Sequence, residues 1–164
     1  MGKSVKNTAC HLVLGNGKCV FGVENGKLGI YIRSENSAVF KHFFFIGDFD
    51  VYRDFDVMEK FSPFVDFFMI SGSEEYLPQF KKLSYKYECL FNISLAERGS
   101  VTYYKGKEFK VKAGKVDTVI DTTGCGDSYH AGFVCSYILE KDIEKAMNVG
   151  SEIAAETLMH YGGF

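Results

Sequence analysis

Residues 121–133 read DTTGCGDSYHAGF, and this stretch decides how the rest of the chain is interpreted. Gly124 and Gly126 bracket Cys125, and a run that predicts a helix follows at once. A glycine has no Cβ, so a ligand can approach its backbone closely. The free amides and the dipole at the start of a helix favour an anion. The stretch therefore predicts a phosphate-binding turn made by the amides of Gly124, Cys125 and Gly126.

Asp127 directly follows this turn, and two interpretations of its carboxylate stay open. The first is a helix cap, because negative charge is favourable near the start of a helix. The second is a general base, because a carboxylate beside a phosphate is repulsive unless it takes the proton of an attacking hydroxyl. Phosphoryl transfer needs hydrogen-bond donors around the transferred group, so the turn and a base together would suit that reaction.

The remaining pattern predicts an α/β fold with helices on the faces of a sheet. Short continuous apolar runs at 65–73 and 88–94 are typical of strands that are buried on both faces. Residues 9–23 predict a hairpin around Gly-Asn-Gly, and 27–33 predict a third strand. Further predicted elements are a strand within 41–50, a helix over 73–87 with Ser73 as its N-cap, a hairpin at 101–111, and helices over 126–139 and 141–159. In the first of these last two helices, one face should hold Ala131, Val134, Cys135, Ile138 and Leu139.

Composition and charge limit the class of protein. At 164 residues, the chain is expected to form a single domain over 1–164. Its net charge of −2 gives no electrostatic argument for binding nucleic acid or an anionic membrane. The five cysteines are odd in number and include no CxxC pair, so we expect reduced thiols and a cytoplasmic location.

Residues 121–133 closely resemble the signature D-T-x-G-A-G-D-x-F-x-A-G-F of the ribokinase, or phosphofructokinase-B-type (PfkB), carbohydrate kinases. Three further segments resemble family motifs in the right order. Residues 94–106 (SLAERGSVTYYKG) are similar to the T-L-G-x-x-G strand end, 65–77 to a strand followed by N-x-x-E, and 150–164 to the C-terminal helix. Within the family, 47–56, 119–128 and 153–164 look most like fructoselysine 6-kinases.

The resemblance implies a fold and a set of roles. The fold would be a three-layer α/β ribokinase-like domain, represented by its C-terminal half, with a remnant β lid at 8–33. Asp127 would be the catalytic base beside an anion hole of Gly124, Cys125 and Gly126. Nucleotide-binding positions would be Ser94, Ala96, Glu97, Gly99 and Ser151. Glu74 would act on Mg²⁺ through water, and Asp121 and Thr123 would help to bind a monovalent cation. The implied cofactors are ATP and Mg²⁺, with K⁺ as the candidate monovalent cation.

The chain also departs from the family pattern. Cys125 stands where the signature has Ala, and Ser71 stands where Asn is usual. The sequence begins near the lid, so we expect an N-terminally truncated family member. Missing strands would leave a sheet edge and apolar surface, including Phe43, Phe44 and Phe45, and so predict a homo-oligomer.

Three functions therefore stay open. The first is an ATP-dependent kinase for a hydroxyl of a sugar or sugar-amine such as fructoselysine. The second is a catalytically impaired member that retains only a nucleotide site, and the third is a regulatory or oligomerisation module. The sequence does not identify the sugar.

Overall fold

The structure is a computed structural model that describes residues 54–162 in full and, before them, the backbone of four strands. The first three of these strands are β1 (Cys10–Leu14), β2 (Gly17–Glu24) and β3 (Lys27–Ser34), and they form one antiparallel sheet in that order. The predicted hairpin and third strand are thus present. The assignment of 8–33 as a lid stays a prediction. Within the strand predicted at 41–50, only β4 (Ile46–Asp48) is described, and Phe43, Phe44 and Phe45 lie outside the described residues.

A second sheet carries the candidate site. It has five strands in the order β4-β5-β6-β7-β8. The new strands are β5 (Phe67–Ser71), β6 (Leu90–Ser94), β7 (Ser100–Tyr104) and β8 (Lys107–Val111). Strands β4, β5 and β6 are parallel, whereas β7 and β8 add on as the predicted antiparallel hairpin. Ser71 pairs with Ser94, so β5 and β6 end together at one edge of the sheet.

Within residues 54–162, four helices cover the two faces of this sheet. They are α1 (Phe55–Phe61), α2 (Leu77–Lys86), α3 (Cys125–Glu140) and α4 (Ile143–Thr157). Side chains alternate along a strand. Phe67 and Met69 of β5 therefore pack against α3 and α4, while Phe68 and Ile70 pack against α1 and α2. This double burial explains the continuous apolar run of β5, and it confirms the predicted three-layer α/β architecture.

Two differences from the sequence prediction concern the first pair of helices. Helix α1 was not predicted, although Asp54 marks its start by accepting hydrogen bonds from the amides of Asp56 (2.9 Å) and Val57 (3.2 Å). The helix predicted over 73–87 is divided into a 3₁₀ turn at Glu74–Tyr76 and α2. Pro78 lies in the first turn of α2, where its missing N–H leaves no helical hydrogen bond unmade. Ser73 occupies the predicted N-cap position, now of the 3₁₀ turn, but it makes no side-chain capping bond.

Helices α3 and α4 pack closely against each other. A Cβ built on Gly150 would lie 2.8 Å from the carbonyl oxygen of Tyr129, and one on Gly132 would lie 3.1 Å from the Cα of Gly150. The face predicted for α3 is only partly correct. Val134 and Cys135 are buried, but Leu139 is 51% exposed. Because α3 touches both the sheet and α4, its buried surface is centred on Tyr129 and Phe133, and in the last turn Tyr137 and Ile138 pack against it only partly buried.

Among the residues that the structure describes, no helix is long and apolar enough to cross a membrane.

Candidate active site

The turn before α3 has the geometry that its glycines favour. Gly124 occupies the N-cap position with φ +77°, a left-handed conformation in which glycine is favoured. Its carbonyl accepts the amide of Ser128 at 2.9 Å, while the amide of Cys125 reaches the carbonyl of Thr122 at 3.4 Å. No side chain caps α3, and of the first amides of the helix only that of Cys125 has this long backbone bond, which leaves donor capacity for a ligand.

Asp127 lies in this first turn and is exposed. Its carboxylate does not cap the helix, because Gly124 holds the N-cap position and no side-chain capping bond is present. Asp127 therefore does not cap α3 through a hydrogen bond, and in this sense the cap interpretation was wrong. The favourable effect of its charge on the helix dipole remains. The base interpretation stays a prediction.

A cavity of about 690 Å³ opens beside the start of α3. One part of its wall comes from the ends of β5 and β6 and from the first residues of α3. The other part comes from the connection between β8 and α3 and from α4. The lining residues are Ser71, Gly72, Ser94, Ala96, Glu97, Gly99, Ala113, Gly114, Val116, Val119, Thr122, Cys125, Gly126, Tyr129, Ser151, Ala154, Ala155 and Leu158.

Most of the residues predicted for nucleotide binding meet at this cavity. Seven of them line it, although they come from three separate segments of the chain; they are Ser94, Ala96, Glu97, Gly99, Cys125, Gly126 and Ser151. Gly124 and Asp127 adjoin these lining residues in the chain. Glu74, Asp121 and Thr123 are not part of the lining.

The turn at Ala96–Arg98 forms one side of the cavity through unusual backbone angles. Ala96 has φ +53° and Gly99 has φ +89°. A Cβ on Gly99 would lie 2.0 Å from the carbonyl oxygen of Val111, so the turn packs against β8 without space for a side chain. The amide of Leu95 closes the turn by donating to the carbonyl of Gly99 at 2.7 Å.

The two hydroxyls at the strand ends bond to each other. Ser94 Oγ donates to Ser71 Oγ at 3.1 Å, and the amide of Gly72 donates to the carbonyl of Ser94 at 3.0 Å. A Cβ on Gly126 would lie 3.3 Å from Ser71 Oγ. Gly126 therefore lets the start of α3 come close to the end of β5.

Glu74 lies away from the lining and has a basic partner. Its Oε1 accepts from the Nη1 of Arg98 at 3.1 Å, and both side chains are at least half exposed. An exposed ion pair of this kind contributes little to the free energy of unfolding, because water competes for both charged groups. A role for Glu74 toward a metal ion stays a prediction.

Asp121 connects the segment before the glycine turn to the C-terminal end of α4. Its Oδ1 accepts from the amide and hydroxyl of Thr123 at 2.9 and 2.8 Å, and its Oδ2 accepts from the amide of Gly162 at 3.0 Å. The amides of Thr123 and Gly162 and the Thr123 hydroxyl hold the pKa of Asp121 down to about 2. Because both carboxylate oxygens are used in this way, a monovalent cation here would depend on backbone carbonyls. That site stays a prediction.

Several lining residues were missed from the sequence. Residues 113–119 carry no periodic pattern, so nothing in the sequence placed Ala113, Gly114 or Val116 at the cavity. Gly114 fits because a Cβ there would lie 2.6 Å from the carbonyl oxygen of Ser151. Tyr129 was missed because its ring belongs to the core. Its hydroxyl accepts from Asn92 Nδ2 at 3.0 Å, and burial raises its pKa to about 12.

The donor set and the walls fit a nucleotide. The start of α3 offers amides for phosphate oxygens, and small apolar side chains from 113–119 and α4 offer a surface for a flat base. Within residues 54–162, no three acidic, histidine or cysteine side chains are grouped to hold a metal ion.

Two of the cysteines within residues 54–162 carry free thiols, namely Cys89 and Cys125. Cys135 is disulfide-bonded, so the expectation of reduced thiols does not hold for it.

Comparison with known proteins gives a consistent result. The family model described as pfkB family carbohydrate kinase matches residues 67–163. A nucleoside kinase of Methanocaldococcus jannaschii is 40% identical over 63 residues, which are 38% of this chain and 21% of that protein. A fructoselysine 6-kinase of Shigella flexneri is 38% identical over 72 residues, covering 44% of this chain and 27% of that protein. The chain thus spans about a fifth to a quarter of the length of these relatives.

Solved structures show the same fold. The M. jannaschii nucleoside kinase, described as an archaeal member of the ribokinase family, aligns with a TM-score of 0.64 at 22% identity, over 75% of this chain and 44% of that one. A ribokinase-type protein of E. coli, solved with ATP and Mg²⁺, aligns with a TM-score of 0.57 at 18% identity, over 66% and 37%. The predicted ribokinase-like fold is therefore confirmed. Because the family model covers more than half of its residues, this chain belongs to the pfkB family of carbohydrate kinases.

Proposed function

We propose that this chain forms the nucleotide-binding side of an ATP-dependent phosphotransferase that acts on a hydroxyl of a sugar-like substrate. One observation carries the proposal. The uncapped start of α3 faces a cavity with an apolar wall, and an exposed carboxylate, Asp127, follows the turn directly. Membership of the pfkB family supports the same reaction class.

Different residues of the chain would bind the phosphates, hold the base and take the acceptor proton. The first amides of α3 bind phosphate oxygens, and the absence of a side chain at Gly126 keeps the approach open. The wall made by Ala113, Gly114 and Ala155 holds the base. Mg·ATP, when bound, supplies the phosphoryl group and a metal ion that balances its negative charge. Asp127 takes the proton from the acceptor hydroxyl, which contributes roughly 10²–10⁴-fold to the rate.

The acceptor is a separate proposal from the reaction class. Relatives named as fructoselysine 6-kinase and as nucleoside kinase both match parts of this chain. They share a sugar hydroxyl as the acceptor chemistry. We propose a sugar-amine of the fructoselysine type, in line with the resemblance of three segments of the sequence. Assays with fructoselysine and with nucleosides in parallel distinguish the two acceptors.

The companion proposals follow from the same site. K⁺ near Asp121 and Thr123 would act through the carbonyls of the turn, and Glu74 would reach Mg²⁺ through water after leaving Arg98. A cytoplasmic location, where ATP is abundant, is proposed with them. A chain that binds nucleotide without turnover would instead be the impaired family member, and one that binds none would be a regulatory or oligomerisation module.

The test compares two carboxylates at helix starts. Asp127→Asn keeps the size of the side chain but removes the base, so the rate should fall roughly 10²–10⁴-fold while nucleotide affinity changes little. Asp142→Asn is the matched control. Asp142 caps α4 by accepting the amide of Lys145 at 2.9 Å, and Asn is an equally good N-cap. Steady-state kinetics and calorimetry on both variants provide the measurement. Full activity in Asp127→Asn would refute the assigned role.

A further inference from the structure

The hydroxyl of Tyr129 is a buried polar group beside the cavity that the proposed reaction does not use. Tyr129 lies one turn into α3, lines the cavity and is only 4% exposed. The family signature that this segment resembles has Phe at this position. The signature therefore accounts for the ring of Tyr129 but not for its hydroxyl.

The hydroxyl has buried polar partners in the sheet. Asn92 of β6 donates from Nδ2 to the Tyr129 hydroxyl at 3.0 Å and to Thr102 Oγ1 at 2.8 Å. Asn92 and Thr102 are paired across β6 and β7, and both are fully buried. An amide nitrogen has two hydrogens to donate, and here each of them has an acceptor. The three side chains therefore form one polar network between α3 and the sheet.

This network lies under the part of α3 that borders the cavity. A side chain on a helix covers the turn that precedes its own Cα, so the ring of Tyr129 lies beneath the turn that begins at Cys125. Helix α4 encloses the ring from another side, since a Cβ built on Gly150 would lie 3.0 Å from it. The ring is thus held between α4 and the sheet, with its hydroxyl at the sheet.

We propose that Tyr129 is a positioning residue, whose hydroxyl bond to Asn92 fixes the depth and rotation of the first turn of α3 and thereby raises the rate of phosphoryl transfer. The ordering of the turn does not depend on the proposed function, whereas the effect on the rate rests on it.

A hydrogen bond fixes a helix more narrowly than apolar packing does. A phenyl ring would keep its contacts over a range of small rotations of α3, because apolar packing has no direction. The bond between Tyr129 and Asn92 has an optimum in both distance and angle, and a rotation that broke it would leave a buried N–H without an acceptor. Burial raises the pKa of Tyr129 to about 12, so the hydroxyl stays protonated around neutral pH.

The effect on the rate follows from what the first turn of α3 carries. It holds both the amides proposed to bind phosphate and the proposed base, Asp127. A shift of about 1 Å in groups that must meet in the transition state can reduce a rate about 100-fold. Nucleotide binding also draws on the apolar wall at 113–119, which lies outside α3. Loss of the hydroxyl should therefore lower kcat more than it weakens nucleotide binding.

Tyr103 provides a matched control within the same chain. It is also buried, at 2% exposed, and its hydroxyl donates to Glu108 Oε2 at 2.6 Å. Its ring packs in the core on the opposite face of the sheet, against α1 and α2. Tyr103→Phe therefore removes a buried hydroxyl and its hydrogen bond, as Tyr129→Phe does, but away from the start of α3.

The test compares the two variants with the wild type. We expect Tyr129→Phe to fold, because the signature has Phe at this position. Its kcat, with Mg·ATP and with fructoselysine or nucleosides as acceptors, should fall at least about tenfold, while its affinity for Mg·ADP in calorimetry changes less than about threefold. Hydrogen–deuterium exchange over 125–131 should become at least about threefold faster. Tyr103→Phe should match the wild type in all three measurements.

A pH profile separates positioning from proton transfer. Because Tyr129 does not titrate near neutral pH, kcat of Tyr129→Phe should be lower by the same factor throughout, with the midpoints of the profile unchanged. A shifted midpoint would show that the hydroxyl takes part in proton transfer and would overturn the positioning role.

The remaining outcomes separate this inference from the proposed function. A wild-type kcat in Tyr129→Phe overturns the effect on the rate, and so does an equal fall in Tyr103→Phe, because lost stability would then explain both. Unchanged exchange at the start of α3 overturns the ordering. If the wild type neither binds Mg·ADP nor phosphorylates either acceptor, the proposed function fails together with the effect on the rate, and the exchange measurement still decides on the ordering.

Discussion

At the scale of single residues, Gly99 tolerates a side chain less well than Gly126 of the signature does. Its φ of +89° disfavours any side chain, and a Cβ would also meet the carbonyl oxygen of Val111 at 2.0 Å. Gly126, by comparison, would place a Cβ 3.3 Å from Ser71 Oγ, which a small shift could accommodate. Gly99 is therefore required by the fold of the turn, whereas the role of Gly126 in admitting a ligand stays a prediction.

We predict different costs for two substitutions at positive φ. Gly162→Ala should lower the free energy of unfolding by only about 1–2 kcal/mol, since φ is +81° but no atom lies within 4 Å of the new Cβ. Gly99→Ala should cost more than about 3 kcal/mol, because strain and a backbone clash add together. Urea denaturation of both variants measures the difference. Equal costs would contradict the packing of Gly99 against β8.

Candidate site residues could be named from the sequence where they lie close together in one short motif. Gly124, Gly126 and Asp127 form such a pattern, and the structure places the cavity beside them. Ala113 and Gly114 could not be predicted, because small residues in an aperiodic segment give no signal before the fold brings them to α4. The partner of Glu74 was also unpredictable, since Arg98 is 24 residues away in the chain.

At the scale of elements, the contact between α3 and α4 fixes the orientation of the helix that begins at the site. Gly132 and Gly150 allow the two backbones to approach closely, and Thr157 Oγ1 donates to Ser128 Oγ at 2.9 Å in the same interface. Tyr129 in turn joins α3 to β6 through Asn92. The start of α3 is therefore held from both the helix layer and the sheet.

We predict that Gly150→Ala destabilises the protein, although glycine-to-alanine changes inside helices usually stabilise by about 0.5–1 kcal/mol. The new Cβ would lie 2.8 Å from the carbonyl oxygen of Tyr129 and 3.0 Å from its ring. Such overpacking costs about 1–3 kcal/mol. Glu152→Ala, at an exposed position of the same helix, is the control and should change stability by less than about 0.5 kcal/mol. Thermal unfolding that ranks Gly150→Ala above wild type would show that the helices are farther apart.

Elements were predicted well where a continuous apolar run marks a buried strand or where a turn sequence marks a hairpin. The continuous apolar runs predicted β5 and β6, and Lys105-Gly106 predicted the hairpin of β7 and β8. Helix α1 was missed because seven residues are too few for a helical period to stand out. Its cap at Asp54 was the available signal.

At the scale of the whole molecule, the fold brings three distant segments to one edge of a sheet. Strands β5 and β6 end there in register, the turn at Ala96–Arg98 follows, and α3 begins opposite them. Ligand sites in α/β sheets commonly lie beyond the carboxyl ends of parallel strands. The position of the cavity is thus a consequence of topology as much as of the signature.

Assembly is a prediction at the same scale. Within residues 54–162, Phe61 and Phe64 are 51% and 71% exposed, close together at the end of α1. Exposed apolar surface favours association, so we expect a homo-oligomer. Light scattering that reports a monodisperse monomer would contradict this expectation.

The central claim is that the cavity binds nucleotide with its phosphates at the start of α3. Calorimetric titration with Mg·ATP tests it most directly. The account predicts saturable binding to the wild type and loss of binding in Gly126→Val, whose branched side chain would stand between the first amides of α3 and the ligand. Gly162→Ala, which changes a glycine outside the cavity lining, should bind like the wild type. The absence of both heat and a thermal shift at millimolar nucleotide, or wild-type affinity in Gly126→Val, would contradict the claim.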